Sequence, residues 1–129
     1  MMTNTYVLVD SSVWIDFFRS ESSILDKLIE EDMVCINELI LTELLPALEI
    51  IGQKEAIKSL ESLPSIDLKV SWPLIRKYQV LNLKNGINKV GIPDLLILQQ
   101  VIENKLTLFS RDKHFRLMQK YLHFELIME

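Results

Sequence analysis

The sequence predicts an α/β fold with a mostly parallel sheet of about five strands, and two observations predict it. Short β-branched runs alternate along the chain with longer stretches of helical period, as βαβ units require. The second is that 49% of the 129 residues are hydrophobic, which excludes disorder and allows a real core. No internal repeat, low-complexity tract or linker divides the chain, so residues 1–129 read as a single domain, within the usual span of about 100–200 residues.

The elements follow in order. "TYVLVD" gives a first strand at Tyr6–Val9 ending on an aspartate, then helices at Ser12–Arg19 and Ser22–Glu31. A second strand is expected at Met33–Ile36, and helices at Glu38–Ile51, stopped by "IIGQ", and Lys54–Leu63. Ile66–Val70 alternates as a third strand, and Ser71 is placed to cap a helix over Trp72–Leu83. The loop "KNGINKVGIP" leads to a helix at Pro93–Asn104, a strand at Leu106–Phe109, a helix at Lys113–Tyr121 and a last strand at His123–Ile127.

Composition excludes several classes. A formal charge of −4 argues against binding nucleic acid through a bulk basic surface, though not against acids gathered around a cation. No apolar run approaches the ~18 residues of a membrane span, and "MMTNTYVLVD" has no basic leader. The single cysteine, Cys35, has no internal partner for a disulfide; together these features predict a cytoplasmic protein.

Four acids stand out. In an open α/β sheet ligands bind beyond the carboxyl ends of the strands. Asp10 and Asp112 follow strands there, while Glu43 and Asp94 lie on helices that can bring them to the same edge. Turning about 100° per residue, Glu43 falls among Leu39, Ile40, Ala47 and Ile50, an apolar face expected to pack inward. Asp94 lies opposite an expected exposed stripe of Gln99, Gln100, Glu103 and Asn104. Asp94 and Asp112 have a local alternative as helix caps, and Asp10 as a turn residue. Four carboxylates in one place repel unless a cation intervenes, and all-oxygen ligands suit Mg²⁺ or Mn²⁺ rather than zinc. Such ions commonly serve phosphodiester hydrolysis.

"VLVDSSVWIDFFR", the glutamate of "TELL", "IPDLLI" and "LFSRDKHF" together resemble the PIN-domain family, and within it the VapC-like toxin ribonucleases of toxin–antitoxin pairs. The resemblance implies a three-layer α/β/α sandwich and a metal-dependent endoribonuclease using Mg²⁺ or Mn²⁺. It implies Asp10, Glu43, Asp94 and Asp112 as the catalytic, metal-binding set, with Ser12 and Ser110 in support. A cognate antitoxin and an RNA substrate would be the partners, with a PIN-like RNA- or protein-binding module that has lost catalysis as the alternative.

Arg111, Lys113, His114 and Arg116 flank Asp112 and are candidate RNA contacts; an ordinary solvated helix face is the alternative. His114 stands where many relatives carry an acid, and reads first as a surface residue. Asp16 reads as structural, close to Ser12. Trp14, Phe17 and Phe18 read as core or as contacts of a homodimer, which the apolar excess also favours. The other acid-bearing α/β families fit less well. A receiver domain would need an acid pair where "VDSSV" stands, a haloacid-dehalogenase-type phosphotransferase a second aspartate in place of Ser12, and a dinucleotide fold its glycine fingerprint.

Overall fold

The structure is a computed structural model describing residues 5–20 and 22–129. Four parallel strands form the sheet: β1 (Val7–Val9), β2 (Val34–Cys35), β3 (Thr107–Phe109) and β4 (Glu125–Ile127). They lie in the order β2-β1-β3-β4, with Leu8 opposite both Cys35 and Leu108. Seven helices among the described residues pack around them: α1 (Ser11–Arg19), α2 (Ser23–Glu30), α3 (Glu38–Ile50), α4 (Lys54–Glu61), α5 (Trp72–Lys84), α6 (Ile92–Glu103) and α7 (Lys113–Met118). The expected helices are all present. The last is shorter than expected, ending at Met118.

The strand order places the functional edge. From β1 the chain crosses outward to β2, then returns past β1 to β3 and on to β4. Right-handed crossovers running in opposite senses lie on opposite faces, which gives three layers, α/β/α. Between β1 and β3 the direction reverses, and in open α/β sheets ligands bind beyond the carboxyl ends of the strands at such a point. Asp10 follows β1 there, and Ser110 follows β3. Leu8, Val9, Leu108 and Phe109 hold the two strands together and are completely buried.

The expected strand at Ile66–Val70 does not form, leaving four strands rather than five. Only Ser65 bridges to Ile36, with Ile66 N–H donating to Ile36 O at 2.8 Å. Beyond it the chain peels off the sheet, and α6 takes its backbone groups instead. The Gln100 amide donates to Ile66 O (2.9 Å) and Asp67 O (3.0 Å), and the Gln99 amide donates to Lys69 O (2.7 Å) and accepts from Ser71 N–H (3.0 Å). This also corrects the expected exposed stripe on α6. Glu103 and Asn104 are exposed, but Gln99 and Gln100 are buried, each 2% exposed, because their amides stand in for a neighbouring strand.

The inward face of α3 differs as well. Ile40, Leu41, Leu44 and Leu48 are buried, whereas Glu43 and Ala47 are exposed and Ile50 is 86% exposed. The helix is apolar on nearly every side, so its period alone does not mark the core face.

Because β1 is flanked on both sides, truncation there is expected to be severe. Leu8→Ala should lose about 2–5 kcal/mol, measured by urea denaturation, because the central strand has little freedom to collapse around the void. A loss under about 1 kcal/mol would mean that β1 is not the packed centre of the sheet.

Candidate metal centre

Asp10 directly follows β1 and is the N-cap of α1, and it is only 6% exposed. One oxygen accepts from Ser11 N–H at 2.9 Å. The other accepts from two hydroxyls, Ser12 Oγ at 3.0 Å and Ser110 Oγ at 2.9 Å. Burial raises the Asp10 pKa, these three bonds oppose the rise, and the charge of Asp112 adds to it. The side chain is therefore fixed in direction before any ligand arrives.

Ser110 passes the order on. Its oxygen accepts from Asp112 N–H at 3.0 Å, tying the turn after β3 to Asp10. Asp112 caps α7, its Oδ1 accepting from His114 N–H at 2.9 Å. The same oxygen lies 3.0 Å from His114 Nδ1. His114 is half-buried and bonded to the acid it follows, rather than a free surface residue.

Asp94 stands in the first turn of α6, where the Gly91 N-cap offers no side chain to the free amides. Its pKa is pushed up to about 7, by burial first and then by the charges of Asp112 and Asp10, a hydrogen bond with Asp112, and the charge of Glu43. Four carboxylates therefore act on one another at this edge. Glu43 reaches it from α3: burial of its carboxyl and the charge of Asp10 raise its pKa, and a hydrogen bond from the Ser11 side chain opposes the rise. It belongs to the group through its carboxyl end, not through a place on the core face.

The donor chemistry fits a hard divalent cation: oxygen ligands only, with excess negative charge for it to neutralise. Among the described residues no three acids, histidines or cysteines already stand close enough together to form an ion cage. The edge is thus an array of acids oriented one by one.

The basic residues divide. Arg111 is held between Asp16 (Nε to Oδ2, 3.1 Å) and Glu129 (3.0 Å), while its backbone N–H bonds Ser12 Oγ at 3.3 Å. Asp16 pairs with Arg111 rather than bonding Ser12, and Arg111 is a paired cation. Lys113 and Arg116 are exposed and join no ion pair among the described residues. Ser11, which supports both Asp10 and Glu43, went unnoticed in the sequence; its position between Asp10 and Ser12 was the available signal.

Away from the acids, Trp14 is buried, Phe17 half-buried and Phe18 40% exposed, with ring centres 5.9–6.0 Å apart. They line an apolar groove of about 600 Å³ with Tyr6, Ile29 and Leu60.

Residues 7–121 match the family model of the PIN domain, and the chain belongs to that family. Its fold is similar to that of a DNA-bound VapBC from Salmonella typhimurium (14% identity, 96% of this chain and 98% of that one, TM-score 0.75). VapBC-1 from nontypeable Haemophilus influenzae matches equally, at 14% identity, 96% and 98% coverage and TM-score 0.75. VapBC2 from Rickettsia felis, bound to a fragment of promoter DNA, matches at 17% identity, 96% and 98% coverage and TM-score 0.72. A search of curated proteins returned no match.

The raised Asp94 pKa fixes the sign of a pH effect. A carboxyl whose folded pKa lies above its unfolded value of about 4 binds more protons when folded, so stability falls as pH rises from about 4 towards 7. Metal-free Asp94→Asn should therefore melt above metal-free parent at pH 7.5, and the gap should close near pH 4. Thermal melts at the two pH values check this; a variant less stable at both would make Asp94 a structural helix cap.

Proposed function

We propose that the chain is a metal-dependent endoribonuclease, the toxin of a toxin–antitoxin pair, using Mg²⁺ or Mn²⁺ to cleave RNA phosphodiester bonds. The observation that carries this reading is Asp10: a buried carboxylate held by three donors at the carboxyl ends of β1 and β3, near enough to Asp94 and Asp112 for their charges to act on one another, in a PIN-family chain. Asp10, Asp94, Asp112 and Glu43 would hold the cation. When bound, a divalent ion stabilises charge on the reacting phosphate and lowers the pKa of water.

The remaining roles belong to the chain's own side chains. Ser12 and Ser110 orient Asp10, and their hydroxyls favour its charged form against the burial that raises its pKa. Ser110 sets the position of Asp112 through its backbone amide. Without a cation, Asp94 holds a proton against Asp112 near neutral pH, so metal loading should release protons and weaken as pH falls. Exposed Lys113 and Arg116 would guide RNA phosphates, while the His114 contact would orient Asp112.

The partner would be an antitoxin protein. Proteins of similar fold are solved as complexes, including a toxin–antitoxin complex from Klebsiella pneumoniae (18% identity, TM-score 0.61). The apolar groove at Trp14 and Phe18 offers such a partner a surface. A homodimer is proposed as well, through exposed Ile50, Ile51, Trp72 or Leu83 rather than buried Trp14. Sedimentation of the isolated protein should give twice the chain mass, and a monomer at high concentration would rule the dimer out.

The chemistry is tested with Asp94→Asn. Purified variant should lose RNA cleavage by at least about a hundredfold with its circular dichroism unchanged, and EDTA should silence the parent. Cleavage persisting in EDTA would overturn the metal reading. RNA bound but uncut by metal-loaded parent would favour the binding-module alternative.

A further inference from the structure

We infer that Gln100 is a positioning residue for the acid site, tying the helix that carries Asp94 to the helix that carries Glu43. The inference rests on the proposed metal centre and adds a residue that touches none of its acids.

The link is buried and specific. Asn37 Oδ1 accepts from Ile40 N–H at 2.8 Å and so caps α3. Asn37 Nδ2 donates to Gln100 Oε1 on α6 at 2.6 Å. Gln100 Nε2 in turn donates to Ile66 O and Asp67 O, which hold its amide in one orientation. Asn37 is 0% and Gln100 2% exposed, so no water competes for these bonds.

Asn37 precedes Glu43, and Gln100 follows Asp94, by less than two helical turns. A rotation or slide of α6 against α3 must break the Asn37–Gln100 bond and strand polar groups in the core. The relative placement of the two carboxylates is thus set from beneath the site. Groups behind the ligands that fix their placement commonly tune how tightly an ion is held.

The next residue provides the control. Gln99 is as buried as Gln100, lies on the same helix and binds the same extended segment, through Lys69 and Ser71. It makes no bond to Asn37 or α3 in its set of hydrogen bonds. A general loosening of the core should affect both glutamines, whereas a positioning role singles out Gln100.

The experiment is Mn²⁺ titration, by calorimetry, of the full chain and of Gln100→Leu, Asn37→Ser and Gln99→Leu. Asn37→Ser keeps an oxygen that can cap α3 and removes the amide that donates to Gln100, so it remains informative should Gln100→Leu not fold. We expect Asn37→Ser and Gln100→Leu to bind Mn²⁺ at least about tenfold more weakly than parent, and Gln99→Leu to bind as parent does. RNA cleavage by Asn37→Ser should recover as Mn²⁺ is raised. Equal affinity in Asn37→Ser and parent, or equal loss in Gln99→Leu, overturns the inference while leaving the metal centre standing. A parent that binds no Mn²⁺ removes the metal centre itself, and the inference with it.

Discussion

The Asp10 carboxylate is the constraint on which the site depends. Burying an ionised group without partners costs several kcal/mol, and here three donors converge to offset that cost. Two come from the turn into α1 and the third from the loop after β3. The bond from Ser110 therefore spans the point where the sheet reverses direction, joining strands that are neighbours in space and about 100 residues apart in the chain. Asp112 and, through it, α7 take their places from the same serine.

The other acids are delivered by helices, each fixed by a different means. Asp112 caps its own helix, while Asp94 lies in the first turn of α6, where the free amides and macrodipole favour a negative charge. Glu43 projects from the middle of α3 and depends on the position of the whole helix, which is where the Asn37 cap enters. The cluster is electrostatically unfavourable when empty: burial and mutual repulsion raise three of the four carboxyl pKa values. A fold that maintains this arrangement through oriented hydroxyls and buried amides stores a preference for positive charge at that edge.

Much of this was legible in the sequence. Strands and helices announced themselves through period and caps, and each of the four acids stands out because it sits beside a strand end or interrupts an apolar stretch. Two features were not legible, for related reasons. Ile66–Val70 alternates like a strand, but an edge segment becomes one only if no other group takes its backbone, and two glutamine amides do. Those same glutamines read as a solvent stripe, since no local rule marks an amide whose partners lie about 30 residues away. On α3 the difficulty was the reverse: apolar residues surround Glu43 on several sides, so helical period suggested burial where the structure shows an exposed face with its carboxyl turned to Ser11 and Asp10. Ser11 and His114 were visible as residues but not as contacts, because side-chain direction at a cap is fixed by the turn rather than by composition.

The central claim is that the acids at the carboxyl ends of β1 and β3 are arranged to receive a divalent cation. Anomalous diffraction from crystals grown with Mn²⁺ tests it most directly. The account predicts a peak about 2.0–2.3 Å from a carboxylate oxygen of Asp10 and of at least one of Asp94 and Asp112, with the Ser12 and Ser110 bonds to Asp10 retained. Ordered acid side chains without a peak at saturating Mn²⁺, or a peak held only by surface acids elsewhere, would contradict it.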